Sequence, residues 1–269
     1  MASVFGSTDD TGSSSTSKLD EVLISQQQQQ VVKTGIPGFD EHLGQGLPSG
    51  NVYLLAGPVD SNSEQFVQQV LYTAIVSKQP VTYYNVDNSS TDIIQNMKIY
   101  GMNIQQYVDE GSWKFARVIP NSLKKIVEAL PEEPMEERIY LDETFTGLMN
   151  HYFDNVKEKR HTAISLTSLV RNYPLEEIQN LMMYMKGIAR RHGGIHFLTL
   201  TDDTLDKSTS STIKDLVDAV FEIDTTYRGN EIETGVSILK IRNMIPKTRK
   251  VRLTQRESGL STETIRRVQ

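Results

Sequence analysis

Short apolar runs that alternate with stretches of helical period occupy this chain from about residue 50 onward, and that alternation restricts the fold more than any other feature. The runs "NVYLLA" (51–56), "VTYYNVD" (81–87), "WKFARVI" (113–119), "TAISLT" (162–167), "IHFLTLT" (195–201) and "AVFEID" (219–224) have the length and β-branched or aromatic content of strands. Between them the period changes. A helix over 64–78 places Phe66, Val67, Val70, Leu71, Ala74 and Ile75 on one stripe, and further helices are expected at 91–100, 122–130, 145–157 and 175–192. In the last of these, Leu175, Ile178, Met182, Met185 and Ala189 recur at helical spacing, so its methionines read as core filling. Strands joined by helices of this length imply a parallel sheet covered on both faces. Two closing strands, 235–242 and 250–255, face each other across the turn "NMIPKT". The expected fold is α/β: a mostly parallel sheet flanked by helices on both faces, with a C-terminal antiparallel hairpin.

The first 32 residues are rich in Ser, Thr and Asp and end in "QQQQQ". Such a composition buries too little apolar surface to offset chain entropy, so a disordered tail is expected, with a helical tendency near Leu19–Ile24. The remainder, 33–269, shows no internal repeat and is expected to form a single domain. "LPEEPMEE" (130–137) reads as an exposed acidic loop. No run approaches the ~18 apolar residues of a membrane span, and the N-terminus lacks the pattern of a secretory signal. The chain has no cysteine, which excludes disulfides and thiolate metal sites, and its five histidines fall in no metal-ligand spacing. A soluble cytoplasmic protein without a bound metal is expected.

Net charge is −6, but residues 240–269 hold nine Lys/Arg against two Glu, a balance of +7 that leaves −13 for the rest. A basic terminal segment on an acidic body suits nucleic acid or the acidic face of a second subunit equally well.

One strand-loop-helix stretch, "LLAGPVDSNSEQFVQQVLY" (54–72), has the frame of a phosphate-binding loop, G-x-x-x-x-G-K-[S/T]. In that motif glycines let backbone N–H groups curl around phosphates, a lysine neutralises charge and a hydroxyl holds magnesium. Here Gly57 opens the frame and Pro58 to Ser61 fill it. Asn62 stands for the second glycine, Ser63 for the lysine and Glu64 for the hydroxyl. Asp60 and Glu64 place carboxylates where a polyphosphate would lie, and their repulsion grows several-fold in a desolvated loop. The same residues suit a capping box, with Ser61 as N-cap and Glu64 at the third helical position. Taken alone, the loop is either an ordinary turn or a decayed site.

The flanking text "TGIPGFDEHLGQGLPSGNVYLLAGP" resembles the segment that precedes the phosphate loop in the KaiC-like branch of RecA-type ATPases. The likeness continues through "YYNVDNSSTDIIQNMKIYGMNIQQYVDEGSWKF", "LKIRNM" and "SGLSTETIRRV", and is weakest over 120–161. It implies a RecA-like sheet and ATPase ancestry. It also implies which catalytic positions have changed. Asp87 and Asn88 stand where the family has paired glutamates that activate water; Asp87 could serve as a weak base, Asn88 cannot. In "ISLTSLV", Thr167 stands where the family has the magnesium-orienting aspartate. A competing placement makes Asp142 of "RIYLDE" that acid, but the long helix and strand expected next follow Leu169 closely. The family's K-x-R pair, which reaches the nucleotide of a neighbouring subunit, is matched by Lys240 and Arg242, which strand alternation puts on one face.

Three altered elements argue against hydrolysis. The expectation is a non-hydrolysing RecA/KaiC-like protein that serves as a regulatory or structural partner in an oligomer, with itself or an active KaiC-like paralogue. It would need no cofactor, Mg·ATP being disfavoured. Two alternatives stand beside it: an ATP-binding protein or slow ATPase using Asp87 and Asp142, and a DNA-associated protein of the recombination-mediator kind. The basic segment has no interleaved aromatics, so stacking on single strands is unsupported there.

Overall fold

The computed structural model describes residues 30–262 apart from 130–134, 158, 202, 204 and 229–230. Two short strands, β1 (Val31–Val32) and β2 (Leu47–Pro48), pair with each other across helix α1 (Phe39–Leu43). Then follow β3 (Asn51–Gly57), α2 (Ser63–Val76), β4 (Val81–Asn85), α3 (Ser90–Ile99), α4 (Gln105–Asp109) and β5 (Trp113–Ile119). After a 3-10 turn come α5 (Lys124–Glu128), β6 (Glu136–Tyr140), α6 (Thr146–Asn155), β7 (His161–Ser165), α7 (Thr167–Asn172), α8 (Leu175–His192) and β8 (Ile195–Thr201). The chain continues through α9 (Lys207–Leu216), β9 (Ala219–Arg228), β10 (Glu231–Ile241), β11 (Lys250–Arg256) and β12 (Gly259–Thr262).

Ten strands form one sheet in the order β12-β11-β10-β9-β3-β8-β7-β4-β5-β6. From β9 to β6 neighbouring strands are parallel; from β9 outward to β12 they are antiparallel. The expected parallel sheet with an antiparallel C-terminus is therefore present, and the hairpin is part of a four-stranded antiparallel wing.

Every residue of β3 is buried, as a strand covered on both faces requires. Its side chains alternate between two cores. Tyr53 and Leu55 join Phe66, Val70 and Leu71 of α2 and Ile93 and Met97 of α3, whereas Val52, Leu54 and Ala56 join Leu148 of α6, Ile178, Met182 and Met185 of α8, and Ile213 of α9. Each fully buried Val, Leu, Ile, Phe or Met contributes about 1.5–3 kcal/mol relative to exposure. The methionines of α8 do fill the core. Gln69 of α2 is 6% exposed, and its amide donates to the carbonyls of Gly35 and Leu260 and accepts from Leu260 N–H at 2.7 Å, fastening β12 to α2.

Several expectations are corrected. Order begins before residue 33, because Val31 and Val32 pair with Leu47 and Pro48. The suggested helix at 19–24 lies outside the described residues. Strand β7 stops at Ser165, and Thr167 opens a helix. The segment 130–137 is not all exposed loop: Glu136 and Glu137 belong to β6, and the Glu136 side chain is only 2% exposed. Helix α9, "KSTSSTIKDL", and strand β12 carried too few apolar residues to stand out by period. The alternation through 239–242 is broken by a register shift in β10 between Ile238 and Lys240. Leu239 is thereby left 46% exposed, not core-facing.

Candidate functional site

The loop after β3 begins at a glycine because nothing larger fits. A Cβ on Gly57 would lie 2.7 Å from the Ile223 carbonyl oxygen and 3.0 Å from Ser61 Cβ. Pro58 to Ser61 then close a tight turn, with Ser61 N–H donating to the Pro58 carbonyl at 2.9 Å. That turn draws Ser61 away from the helix end, so the expected capping box does not form. Asn62 occupies the N-cap position with no side-chain cap, its amide reaching Thr234 Oγ1 at 3.3 Å. The Ser61 and Ser63 hydroxyls pair with each other at 2.9 Å. Glu64, at the second helical position, accepts a hydrogen bond from the Tyr83 hydroxyl at 3.2 Å instead of closing back on the loop. The Val59 N–H of the loop donates to Asp203 Oδ2 at 3.3 Å.

These residues form one wall of a cleft of about 200 Å³ at the carboxyl ends of β3, β4, β7 and β8. In open α/β sheets that edge is where ligands bind. Asp87 and Asn88 supply the facing wall, and Thr167 with Thr199 and Thr201 lines the floor. Gly57, Asp60 and Asn62 belong to the adjoining backbone of the loop, and Asp60 is exposed. The cleft thus collects the loop after β3, Asp87 and Asn88 after β4, and Thr167 after β7 from three separate segments of the chain. Among its described lining residues there are two carboxylates, Glu64 and Asp87, and no Lys or Arg.

Each group is held by neutral partners. Ser168 Oγ donates to Asp87 Oδ1 in a short contact. Partial desolvation raises the Glu64 carboxyl above its ordinary range, opposed by hydrogen bonds from Tyr83 and Asn88 and reinforced by the charge of Asp87. Burial likewise pushes the Tyr83 hydroxyl far up, so it remains a donor. Thr167 Oγ1 accepts from Thr201 N–H at 3.0 Å, tying the ends of β7 and β8 where a metal-orienting acid would project.

Glu136 was not singled out in the sequence. Its Oε1 accepts from Asn85 Nδ2 at 2.8 Å and Ser90 N–H at 2.5 Å, while Asn85 Nδ2 also donates to the Asn88 carbonyl. A carboxylate from the outermost strand thereby positions the loop that carries Asp87 and Asn88. Its acidic, Pro-interrupted surroundings gave no strand signal. Asp142 is not at the site. Its Oδ1 accepts from Thr144 N–H at 3.1 Å and Thr146 N–H at 2.9 Å, capping α6, and it follows β6, five strands from β3. At a strand spacing of ~4.8 Å that is roughly 24 Å away. The end of β7, two strands from β3, is the closer match to the expected acid position.

Lys240 and Arg242 lie at the opposite, amino edge of the sheet. Arg242 N–H donates to the Asp218 carbonyl, and Asp218 N–H donates to the carbonyl of Val52. Val52 precedes Gly57 by five residues, which along a strand is roughly 16 Å. The Lys240 ammonium donates to the Asp215 carbonyl at 3.0 Å, and the Arg242 guanidinium lies 3.6 Å from Asp218 Oδ1. The strand ends at Ile241, so the two cations do not share a strand face as alternation suggested. Other cations of the basic segment also meet acids of their own sheet: Lys250 pairs with Asp224 at 2.7 Å and Arg252 with Glu233 at 3.7 Å.

Comparison with known proteins gives the lineage. A UPF0273 protein of Pyrococcus furiosus is 30% identical over 147 residues, covering 53% of this chain and 57% of that protein. The chain thus spans little more than half the length of that curated relative. The crystal structure of a KaiC-like protein from Pyrococcus horikoshii superposes with a TM-score of 0.66 at 19% identity, covering 87% of this chain and 99% of that one. The flagellar accessory protein FlaH of Methanocaldococcus jannaschii gives 0.68 at 16% identity, covering 87% and 100%. At those identities the likeness shows the fold. Residues 32–262 match the family model described as "ATPase: KaiC", and with that span of the chain accounted for, the protein belongs to the KaiC-like branch of the RecA-type ATPases.

Proposed function

We propose that this chain is a KaiC-like family member that no longer hydrolyses ATP and acts as a structural or regulatory partner in an oligomer, with itself or with an active relative. One observation carries the reading. The cleft in the phosphate-loop position is lined, among the described residues, by Glu64 and Asp87 with no Lys or Arg. A triphosphate needs the reverse. The loop is also turned inward: the N–H groups of Val59 and Ser61 are engaged by Asp203 and Pro58. The residues present therefore do not fit Mg·ATP. A volume of about 200 Å³ is below the ~300–1,000 Å³ usual for ligand pockets.

The partner role draws support from Lys240. A cation at the amino edge cannot serve the cleft of its own chain, so any action on a phosphate is on that of another subunit. The nucleic-acid reading is weakened by the pairing of Lys250 and Arg252 with Asp224 and Glu233, which spends charge that phosphates would otherwise attract.

Thermal unfolding with and without Mg·ATP tests the central claim. No change in midpoint is expected, and a saturable rise of several degrees would return the protein to the nucleotide binders. For the partner role, Lys240→Ala is expected to lower the stimulated ATP hydrolysis of a co-purifying relative while leaving the fold intact. Unchanged hydrolysis removes that role.

A further inference from the structure

The cleft that suits phosphate poorly is well furnished for the opposite charge. Among the described residues its two carboxylates receive only neutral donors: the Tyr83 hydroxyl and the Asn88 amide on Glu64, and the Ser168 hydroxyl on Asp87. Asn85 also lines it and is 2% exposed. Its Nδ2 is taken by Asn88 and Glu136, while its Oδ1 has no donor among the described residues. A buried amide oxygen without a donor is destabilising, so a donor supplied from outside the chain gains by meeting it. Around these acceptors, Thr199 and Thr201 offer hydroxyls, and Val59 and Ile93 offer apolar wall. Among the described residues no group of three His, Cys, Asp or Glu is placed to hold a metal ion by protein ligands alone.

We propose that the cleft binds a monovalent organic cation, a primary ammonium or guanidinium on a short alkyl stem, with Glu64, Asp87 and Asn85 Oδ1 accepting from its head and the apolar wall covering its stem. This rests on the reading that the cleft has ceased to take nucleotide. Charge-assisted hydrogen bonds are roughly twice as strong as neutral ones, which is the advantage such a head has over water. The acidic replacements in the loop are then a change of ligand sign, not simple decay. A lysine or arginine side chain of another protein copy and a free alkylamine share this chemistry.

The Ile93 methyl group reports on the cleft directly and suits methyl NMR of the full chain. Titration with n-butylammonium or methylguanidinium is expected to shift its resonance saturably. Tetramethylammonium, which has the charge but no N–H, leaves it unmoved. Glu64→Gln is expected to weaken the response at least tenfold, with Asp87→Asn as a second variant should the first perturb the loop. No saturable shift, or an equal shift in wild type and both variants, overturns the inference. A response to Mg·ATP with none to the cations overturns the proposed function as well; silence towards both overturns this inference alone. Growth of the same shift with protein concentration, without added probe, assigns the cation to a second copy of the chain. A shift seen only with added amine assigns it to a free one.

Discussion

The two edges of the parallel sheet treat charge differently. At the amino edge Asp218, 5% exposed, is matched on every side: Val52 N–H donates to Oδ2 at 3.1 Å, and Arg190 and Arg242 lie 3.1 and 3.6 Å from Oδ1. Beside it two buried histidines are held neutral. His196 Nε2–H donates to the Gly193 carbonyl, leaving Nδ1 to accept from Tyr152 and Thr162, and His161 Nδ1 accepts from Ile195 N–H. At the carboxyl edge Glu64 and Asp87 face an open cleft with no cation in its described lining. A buried carboxylate with partners on both oxygens reads as structure, and carboxylates that face open space without a counter-charge mark a candidate site. The contrast separates a charge enclosed by the fold from charges that the fold leaves facing an open cleft.

The largest effect that would break the contrast is at Asp218. Asp218→Ala removes the partner of two arginines and leaves Val52 N–H without an acceptor, and a loss of about 3–4 kcal/mol in urea unfolding is expected. A loss below about 1 kcal/mol would show that the amino edge is no more structural than the cleft.

Comparable in size is a pH effect. Burial lowers His196 from its ordinary 6.5 to about 4, and His161 to about 3. Between the ordinary and the lowered values the unfolded chain holds more protons than the folded one. Stability therefore falls as pH drops from 6.5 towards 4, by about 3 kcal/mol through His196 alone. Unfolding measured at intervals of pH checks this, and His196→Gln is expected to flatten the slope.

Gly57→Ala sharpens the comparison from the other edge. The added methyl meets the Ile223 carbonyl at 2.7 Å, and a cost of about 2 kcal/mol is expected by calorimetry. Smallest of all is Glu64→Gln. Removing a carboxylate whose ionisation is disfavoured by its surroundings should stabilise the chain slightly at neutral pH. Because Glu64 is more than one-third exposed, solvent screening holds the gain to a few tenths of a kcal/mol. A clear destabilisation would mean that the acidic cleft is held together by its own charges.

Much of the architecture was legible in the sequence, and the reasons are local. Strand β5, helix α8 and strand β8 occupy the spans their periods implied, because each carries a dense run of apolar residues with one repeat. Strand β6 was not legible, since its buried Glu136 looks like surface until Asn85, Ser90 and Arg117 are brought around it. Helix α9 buries Ile213 alone among its ten residues, too few for a period to register. At the site, the residues of the loop were readable by position, but their geometry was not. Glu64 turns to Tyr83 of the next strand, and Ser61 is taken by its own turn.

The alternation of the apolar core strands with their covering helices, the covering of both sheet faces and the presence of Ser63 and Glu64 at the end of the loop after β3 were determined by sequence alone, because each depends on neighbours along the chain. Only the tertiary structure decided that Glu64, Asp87 and Thr167 share a cleft, that Lys240 and Arg242 lie at the far edge of the sheet, and that Asp218 rather than a ligand holds Arg242. Those arrangements depend on which strands lie side by side, and strand order is set by packing over the whole core, which no local pattern of residues encodes.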